Sequence, residues 1–175
     1  MNRHFLIKTF LSNTQSSSFQ HGNVYAEYAS DEQKKVFQGD FRRRLWELAY
    51  RYSEPVSEED HIKTIEDFAA QLSQSHPNAL ANQRLRIGTS QKAVNLFLKF
   101  LWCIDLIPEP LHCPIDRNVL TELGDQRNWT EIDDIQAYRE IIQSIRQRAG
   151  AQTPSKWEYD LWNRKAQPIT GANAG

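Results

Sequence analysis

The apolar residues of this chain recur at intervals of three and four, the spacing that places them on one face of an α-helix. The clearest stripe runs from Val36 to Tyr52, and a capping-box sequence at Ser30–Gln33 comes just before it, which predicts a helix over 31–52. A second stripe runs from Ile62 to Leu72, after a polar start at Ser57 that suits a helix cap. Both patterns are typical of amphipathic helices that pack one face on a core.

The stretch from Ala93 to Trp102 carries apolar side chains on nearly all sides. A helix of this kind is covered by neighbours in the interior of a protein. We therefore expect a third, central helix that begins after Gly88, with Thr89 or Ser90 as its cap.

Proline and glycine mark the boundaries of the elements that follow. Pro114 suits the first turn of a short fourth helix, and Gly124 suits its end. A fifth helix is predicted to begin at Thr130 and to end at Gly150, and its buried face is rich in isoleucine. Pro154 then suits the start of a sixth helix.

These elements predict an all-α fold, with a single compact domain of about six helices over residues 31–165. Residues 1–30 hold two short apolar runs followed by serines, and we expect an N-terminal arm and a loop there. Residues 166–175 are expected to form a flexible tail. Seven glycines and seven prolines among 175 residues are too few for a sandwich rich in strands and turns.

The charge balance narrows the classes of function. The chain has 21 Lys and Arg residues against 22 Asp and Glu residues, a formal net charge of −1. This balance excludes a polybasic protein that binds any polyanion. With 39% hydrophobic residues, the chain can bury a substantial core, and this excludes disorder over most of its length.

Compartment and membrane signals are few. Lys8 interrupts the first apolar run, so the amino terminus offers no secretory signal. Two cysteines, Cys103 and Cys113, are too few for a disulfide scaffold. Asn95 and Lys99 interrupt the longest apolar stretch, which is then too polar to cross a membrane. We expect a cytoplasmic protein with no membrane partner and no cofactor, and its oligomeric state is left open.

One segment departs from this overall neutrality. From Gln83 to Ile104 the chain carries two arginines and two lysines and no acidic residue. The segment includes the start of the central helix at Gly88, and a helix start offers free backbone N–H groups and the positive end of the helix dipole. Together these features suit either an ordinary helix start or a phosphate-binding site.

The order of residues around this helix start resembles the helix-hairpin-helix DNA glycosylase superfamily. Gly88-Thr89-Ser90-Gln91-Lys92 is similar to the glycine hairpin of that family, with an apolar helix after it. Pro114-Ile115-Asp116 is similar to the Pro-Val-Asp segment that opens the family's next helix. The resemblance covers some forty residues, and the interval from Lys92 to Asp116 is longer than in the family by a loop at 107–113.

The resemblance implies a helix-hairpin-helix-like core and a DNA repair activity, the excision of a base by a DNA glycosylase or abasic-site lyase. It makes Asp116 the carboxylate that stabilises charge on the sugar or activates water, and Lys92 the amine that attacks the sugar. We expect contacts to DNA from Gly88, Thr89, Ser90, Arg84, Arg86 and Arg117. Candidates for stacking on a flipped base are Trp102, Trp129 and Tyr138. The alternative is a non-catalytic nucleic-acid or protein interaction module, such as one from a mobile or defence-related element.

A metal site is a further alternative. Cys103, His112 and Cys113 offer two thiolates and an imidazole, which are ligands that zinc prefers. The chain has no pair of cysteines at the close spacing of a zinc motif, and a fourth ligand would have to come from His76 or an acid. We therefore predict no bound metal and keep these three residues as weak candidates.

Overall fold

The computed structural model describes residues 3–165, and this part of the chain forms seven α-helices and no extended strand. The all-α prediction is confirmed. In chain order the helices are α1 (Arg3–Phe19), α2 (Asp31–Arg51), α3 (Glu58–Ser75), α4 (Ile87–Trp102), α5 (Arg117–Leu123), α6 (Ile135–Ala149) and α7 (Pro154–Lys165). The predicted flexible tail at 166–175 lies outside the described residues.

The prediction of an arm at the amino terminus is wrong for residues 3–19, which form helix α1. This helix packs against α4, and the ring of Phe10 stacks on that of Phe100 at 4.9 Å between centroids. The face that α1 buries includes Thr14 and Ser18, which are small and polar. Because its buried face is not a stripe of large apolar residues, the helix leaves little trace in the hydrophobic pattern.

Helix α4 lies at the centre of the fold, as the sequence predicts. It contacts α1, α2, α3 and α6, and eleven of its sixteen residues are buried. Caps fix the starts of the two long helices beside it, since the hydroxyl of Ser30 accepts the amide of Gln33 and that of Ser57 accepts the amide of Asp60. No helix within residues 3–165 combines the length and the apolar character that crossing a bilayer requires.

The start of α4 differs from the prediction. The helix begins at Ile87, so Gly88 lies inside its first turn and neither Thr89 nor Ser90 is the cap. A short 3₁₀ turn at Trp129–Glu131 packs against this first turn. The backbone N–H of Gly88 donates to the carbonyl of Ile132 at 2.8 Å, which replaces a side-chain cap.

Helix α5 begins close to its predicted position. The side chain of Asp116 caps α5, and Gly124 ends that helix with a φ of 73°, in the left-handed region that favours glycine.

Helix α6 begins at Ile135 with Asp134 as its cap, so the prediction of a helix start at Thr130 is wrong. The region around Thr130 forms the 3₁₀ turn instead, because Asn128 accepts its amide and closes the turn.

Candidate active site

A cleft of about 470 Å³ opens beside helix α4. Its walls come from the end of α1, one face of α4, the segment that leads into α5, and α7. The lining residues that bear charge or aromatic rings are Lys92, Lys99, Phe100, Asp116, Arg117, Trp129, Glu158, Tyr159 and Trp162, with His21 at the α1 side. Two of these residues are the lysine and the carboxylate that the family resemblance singles out.

Lys92 and Asp116 meet in this cleft although 24 positions separate them in the chain. The ammonium Nζ of Lys92 donates to Oδ2 of Asp116 at 2.7 Å. The Lys92 side chain is only 8% exposed, and that of Asp116 is 26% exposed. The sequence prediction placed both residues at one site, and the structure brings them into direct contact.

Several hydrogen-bond donors surround the carboxylate of Asp116. Its second oxygen, Oδ1, accepts the backbone amides of Asn118 and Val119 at 2.9 and 3.1 Å. Burial raises the pKa of the Asp116 carboxyl, but the charge of Lys92 and these three hydrogen bonds together lower it below its ordinary value. The carboxylate is therefore ionised at neutral pH and fixed in orientation.

Gln91 holds the segment before Asp116 against α4. Its side-chain amide donates to the carbonyl of Ile115 at 2.8 Å and accepts the backbone N–H of the same residue at 3.0 Å. This pair of bonds copies the pattern of two paired strands, and Gln91 itself is fully buried. Because Lys92 follows Gln91 and Asp116 follows Ile115, the pairing sets the distance between the two charged groups.

A second ion pair lies on the same face of α4, two helical turns after the first. Nζ of Lys99 donates to Oε2 of Glu158 at 2.6 Å, and the Glu158 side chain is 8% exposed. Nζ of Lys99 also lies 5.5 Å from the ring centroid of Trp162 and 5.8 Å from that of Tyr159. One lysine is thus held by a carboxylate and by two aromatic faces of α7.

Aromatic rings line the cleft, but they are largely different from the predicted ones. Of the three stacking candidates, Trp129 lines the cleft and is buried. Trp102 packs edge-on against Tyr159 and does not line the cleft. Tyr138 is fully buried in the core. Trp162, which the sequence prediction left out, lines the cleft with 57% of its surface exposed.

The glycine-containing turn does not present a phosphate site. Gly88, Thr89 and Ser90 are all buried. The Gly88 amide is bound to the carbonyl of Ile132, and the Ser90 hydroxyl donates to the carbonyl of Ile65 at 2.6 Å. These three residues therefore serve the packing of α4, and the expected contacts from them to DNA have no exposed groups to make them.

The predicted arginines fall in two places. Arg84 forms an ion pair with Asp133, and Arg86 donates to the carbonyl of Thr130 at 3.3 Å. Both arginines therefore link the start of α4 to the segment from Thr130 to Asp133. Arg117 is exposed at the edge of the cleft. Only this third arginine is placed beside Lys92 and Asp116.

A buried polar network crosses the core behind the cleft. Nε2 of His61 lies 3.0 Å from Oδ1 of Asn95, whose amide donates to the hydroxyl of Tyr138 at 3.1 Å. The same hydroxyl lies 2.8 Å from Nδ1 of His112, and the hydroxyl of Tyr52 lies 2.8 Å from Nδ1 of His61. Tyr138 and His112 are therefore members of a structural network, in which every named side chain has a partner.

The cysteines show no metal centre. Cys103 is exposed, whereas Cys113 is fully buried, and burial raises the pKa of both thiols. His112 uses both ring nitrogens within the network and with Glu58. Among residues 3–165, no group of three or more His, Cys, Asp or Glu side chains is arranged to hold a metal ion.

The sequence prediction missed Glu158 and Gln91. Glu158 lies next to Trp157 and four residues before Trp162, so one face of α7 carries both an acid and an exposed aromatic ring. This spacing was visible in the sequence, but which helix α7 would face was not. Gln91 gave no signal, because a glutamine in a helix is ordinary until its partner is known.

Comparisons with known proteins add no relative. The chain matches no protein-family model, no curated protein and no solved structure.

Proposed function

We propose that this protein acts on deoxyribose in DNA, with Lys92 as the nucleophile and Asp116 as the carboxylate that supports it. The observation that carries the proposal is the contact of 2.7 Å between Nζ of Lys92 and Asp116 in an open cleft. The resemblance of both segments to helix-hairpin-helix DNA glycosylases supports the same roles. The reaction class is base excision through a Schiff base, followed by cleavage at the abasic site.

Lys92 and Asp116 have different roles in this reaction. Nζ of Lys92 loses a proton to solvent and, as the neutral amine, attacks C1′ of the sugar, while Asp116 stays ionised beside it. The bond from Nζ to C1′ forms as the bond from C1′ to the base breaks, and the electron pair leaves with the base. Positive charge develops on the sugar during this step, and the fixed carboxylate of Asp116 stabilises it.

The cleft supplies surfaces for the rest of a nucleotide. Trp162 offers an exposed ring on which a base stacks after it leaves the duplex. Arg117 is exposed at the edge of the cleft, where its guanidinium suits a backbone phosphate. Trp129 forms part of the cleft wall.

Borohydride trapping on duplex DNA with a single abasic site tests the proposal. We expect the wild-type protein to give a covalent adduct on a denaturing gel, with peptide mapping that places the adduct on Lys92. Lys92→Ala should abolish the adduct, and Asp116→Asn should slow its formation by about 100-fold, because no carboxylate then stabilises the positive charge that develops on the sugar.

Lys63→Ala is the matched control, because Lys63 is an exposed lysine on α3 that pairs with Asp67. This variant should trap as well as the wild type. An adduct that persists in Lys92→Ala would contradict the role of Lys92. Binding to duplex DNA at low salt without any adduct would indicate the non-catalytic interaction module, and no binding at low salt would exclude both.

A further inference from the structure

The two ion pairs divide the cleft into two ends. Lys92 and Lys99 are seven residues apart on α4, which corresponds to about two turns and about 10 Å along the helix axis. A nucleotide whose C1′ lies at Lys92 and whose base lies along α4 toward Lys99 brings that base to Glu158. The Lys92–Asp116 pair then marks a sugar end, and the Lys99–Glu158 pair marks a base end beside the rings of Tyr159 and Trp162.

We propose that Glu158 is the acid that protonates the departing base, an inference that rests on the function proposed for Lys92 and Asp116. Lys99 binds only Oε2 of Glu158, and within residues 3–165 the other oxygen, Oε1, accepts no hydrogen bond. Glu158 lines the cleft from α7, opposite the lysines of α4. A carboxyl in this position has one oxygen held by Lys99 and one oxygen available for proton transfer.

The surroundings of Glu158 suit an acid. Burial raises the pKa of the Glu158 carboxyl above its ordinary value, and the charge of nearby Asp116 raises it further. The charges of Lys99 and Lys92 lower this pKa but do not cancel the effect of burial. The protonated carboxyl is thus more available here than on the surface of a protein.

Proton transfer from Glu158 accompanies the departure of the base. The bond from C1′ to the base nitrogen breaks, and its electron pair stays on the base. The Glu158 carboxyl gives its proton to a nitrogen of the base, so a neutral base leaves and a carboxylate remains. Lys99 stabilises that carboxylate through the contact of 2.6 Å already in place.

A comparison of neutral and cationic bases tests this role. A neutral base needs a proton to leave, whereas N7-methylguanine already carries a positive charge and leaves without one. The probes are duplexes with a single uracil, hypoxanthine, 8-oxoguanine or N7-methylguanine, and single-turnover base release is measured for each. We expect Glu158→Gln to slow the release of whichever neutral base the wild type excises by about 100-fold or more. Release of N7-methylguanine should change by less than about threefold.

Lys99→Met gives a second readout that a merely structural role would not move. Because the charge of Lys99 lowers the pKa of Glu158, its loss should raise that pKa. The alkaline limb of base release should then shift to higher pH. A shift in the opposite direction, or none, would contradict the assignment.

Trapping on abasic DNA separates this inference from the function on which it rests. An abasic site has no base to protonate, so Glu158→Gln should form the Lys92 adduct at the wild-type rate. Equal losses on neutral and cationic bases would overturn the role of Glu158 and make it a positioning residue. Trapping by a wild-type protein that releases no neutral base would also overturn it, and would leave the role of Lys92 intact.

Discussion

Gly88→Ala is expected to lower the free energy of unfolding by about 3 kcal/mol, measured by urea denaturation. A Cβ added at Gly88 would overlap the carbonyl oxygen of Trp129 and lie 3.3 Å from the carbonyl oxygen of Ile132. Both atoms belong to the backbone of the turn that covers the start of α4, so neither can rotate away as a side chain would. The variant must separate the two segments and weaken the hydrogen bond from the Gly88 amide.

Gly39→Ala is the matched control. Gly39 lies within α2, and an added Cβ there meets no atom within 4 Å. Alanine is a better helix former than glycine, so this change should raise the free energy of unfolding by about 0.5–1 kcal/mol. Opposite signs for the two substitutions are expected. A Gly88→Ala protein as stable as the wild type would mean that the 129–132 turn is not fixed against α4.

The protein is also expected to lose stability steeply between pH 6.5 and pH 4.5. Burial lowers the pKa of His61 to about 4 and that of His112 to about 3, so both rings stay neutral in the folded protein over this range. In the unfolded chain a histidine takes up a proton near pH 6.5. The unfolded state therefore binds more protons below pH 6.5, and stability falls as the pH falls. The combined loss is on the order of 4 kcal/mol at pH 4.5.

Chemical denaturation at a series of pH values measures this loss. His112→Gln removes one of the two titrating rings, so its stability should depend on pH about half as steeply between pH 6.5 and 4.5. His4→Gln changes an exposed histidine near the start of α1 and should leave the slope unchanged. Stability that stays constant down to pH 5 would show that the network accepts a proton without opening.

The sequence predicted the parts of the fold that depend on interactions between residues close together in the chain. The caps at Ser30 and Ser57 and the helix end at Gly124 each depend on a few neighbouring residues, and each was predicted correctly. Helix α1 depends on a distant partner, because Thr14 and Ser18 are buried by contact with the rest of the fold and not by their own hydrophobicity. A single sequence carries little information of that kind.

The candidate site shows the same difference between local patterns and contacts that are distant in the chain. Lys92 and Asp116 were predicted as a pair because a family pattern supplied the long-range relation that composition and periodicity do not. Glu158 joins the cleft only through the packing of α7 on α4, which no local pattern indicates. Gly88 was predicted as a contact to phosphate, whereas in the structure it admits the backbone of a neighbouring turn.

The pairing of Gln91 with Ile115 has a consequence for variation in chain length. The segment from 103 to 113 follows the end of α4 at Trp102. It returns to α4 where the side-chain amide of Gln91 bonds the backbone N–H and the carbonyl of Ile115. The return point is held by this pairing with α4 and by the buried side chains of His112 and Cys113. Residues added at an exposed position of the loop, such as Pro108, are expected to leave the register of Asp116 opposite Lys92 unaltered. An insertion at such a position is thus compatible with the contact between Lys92 and Asp116.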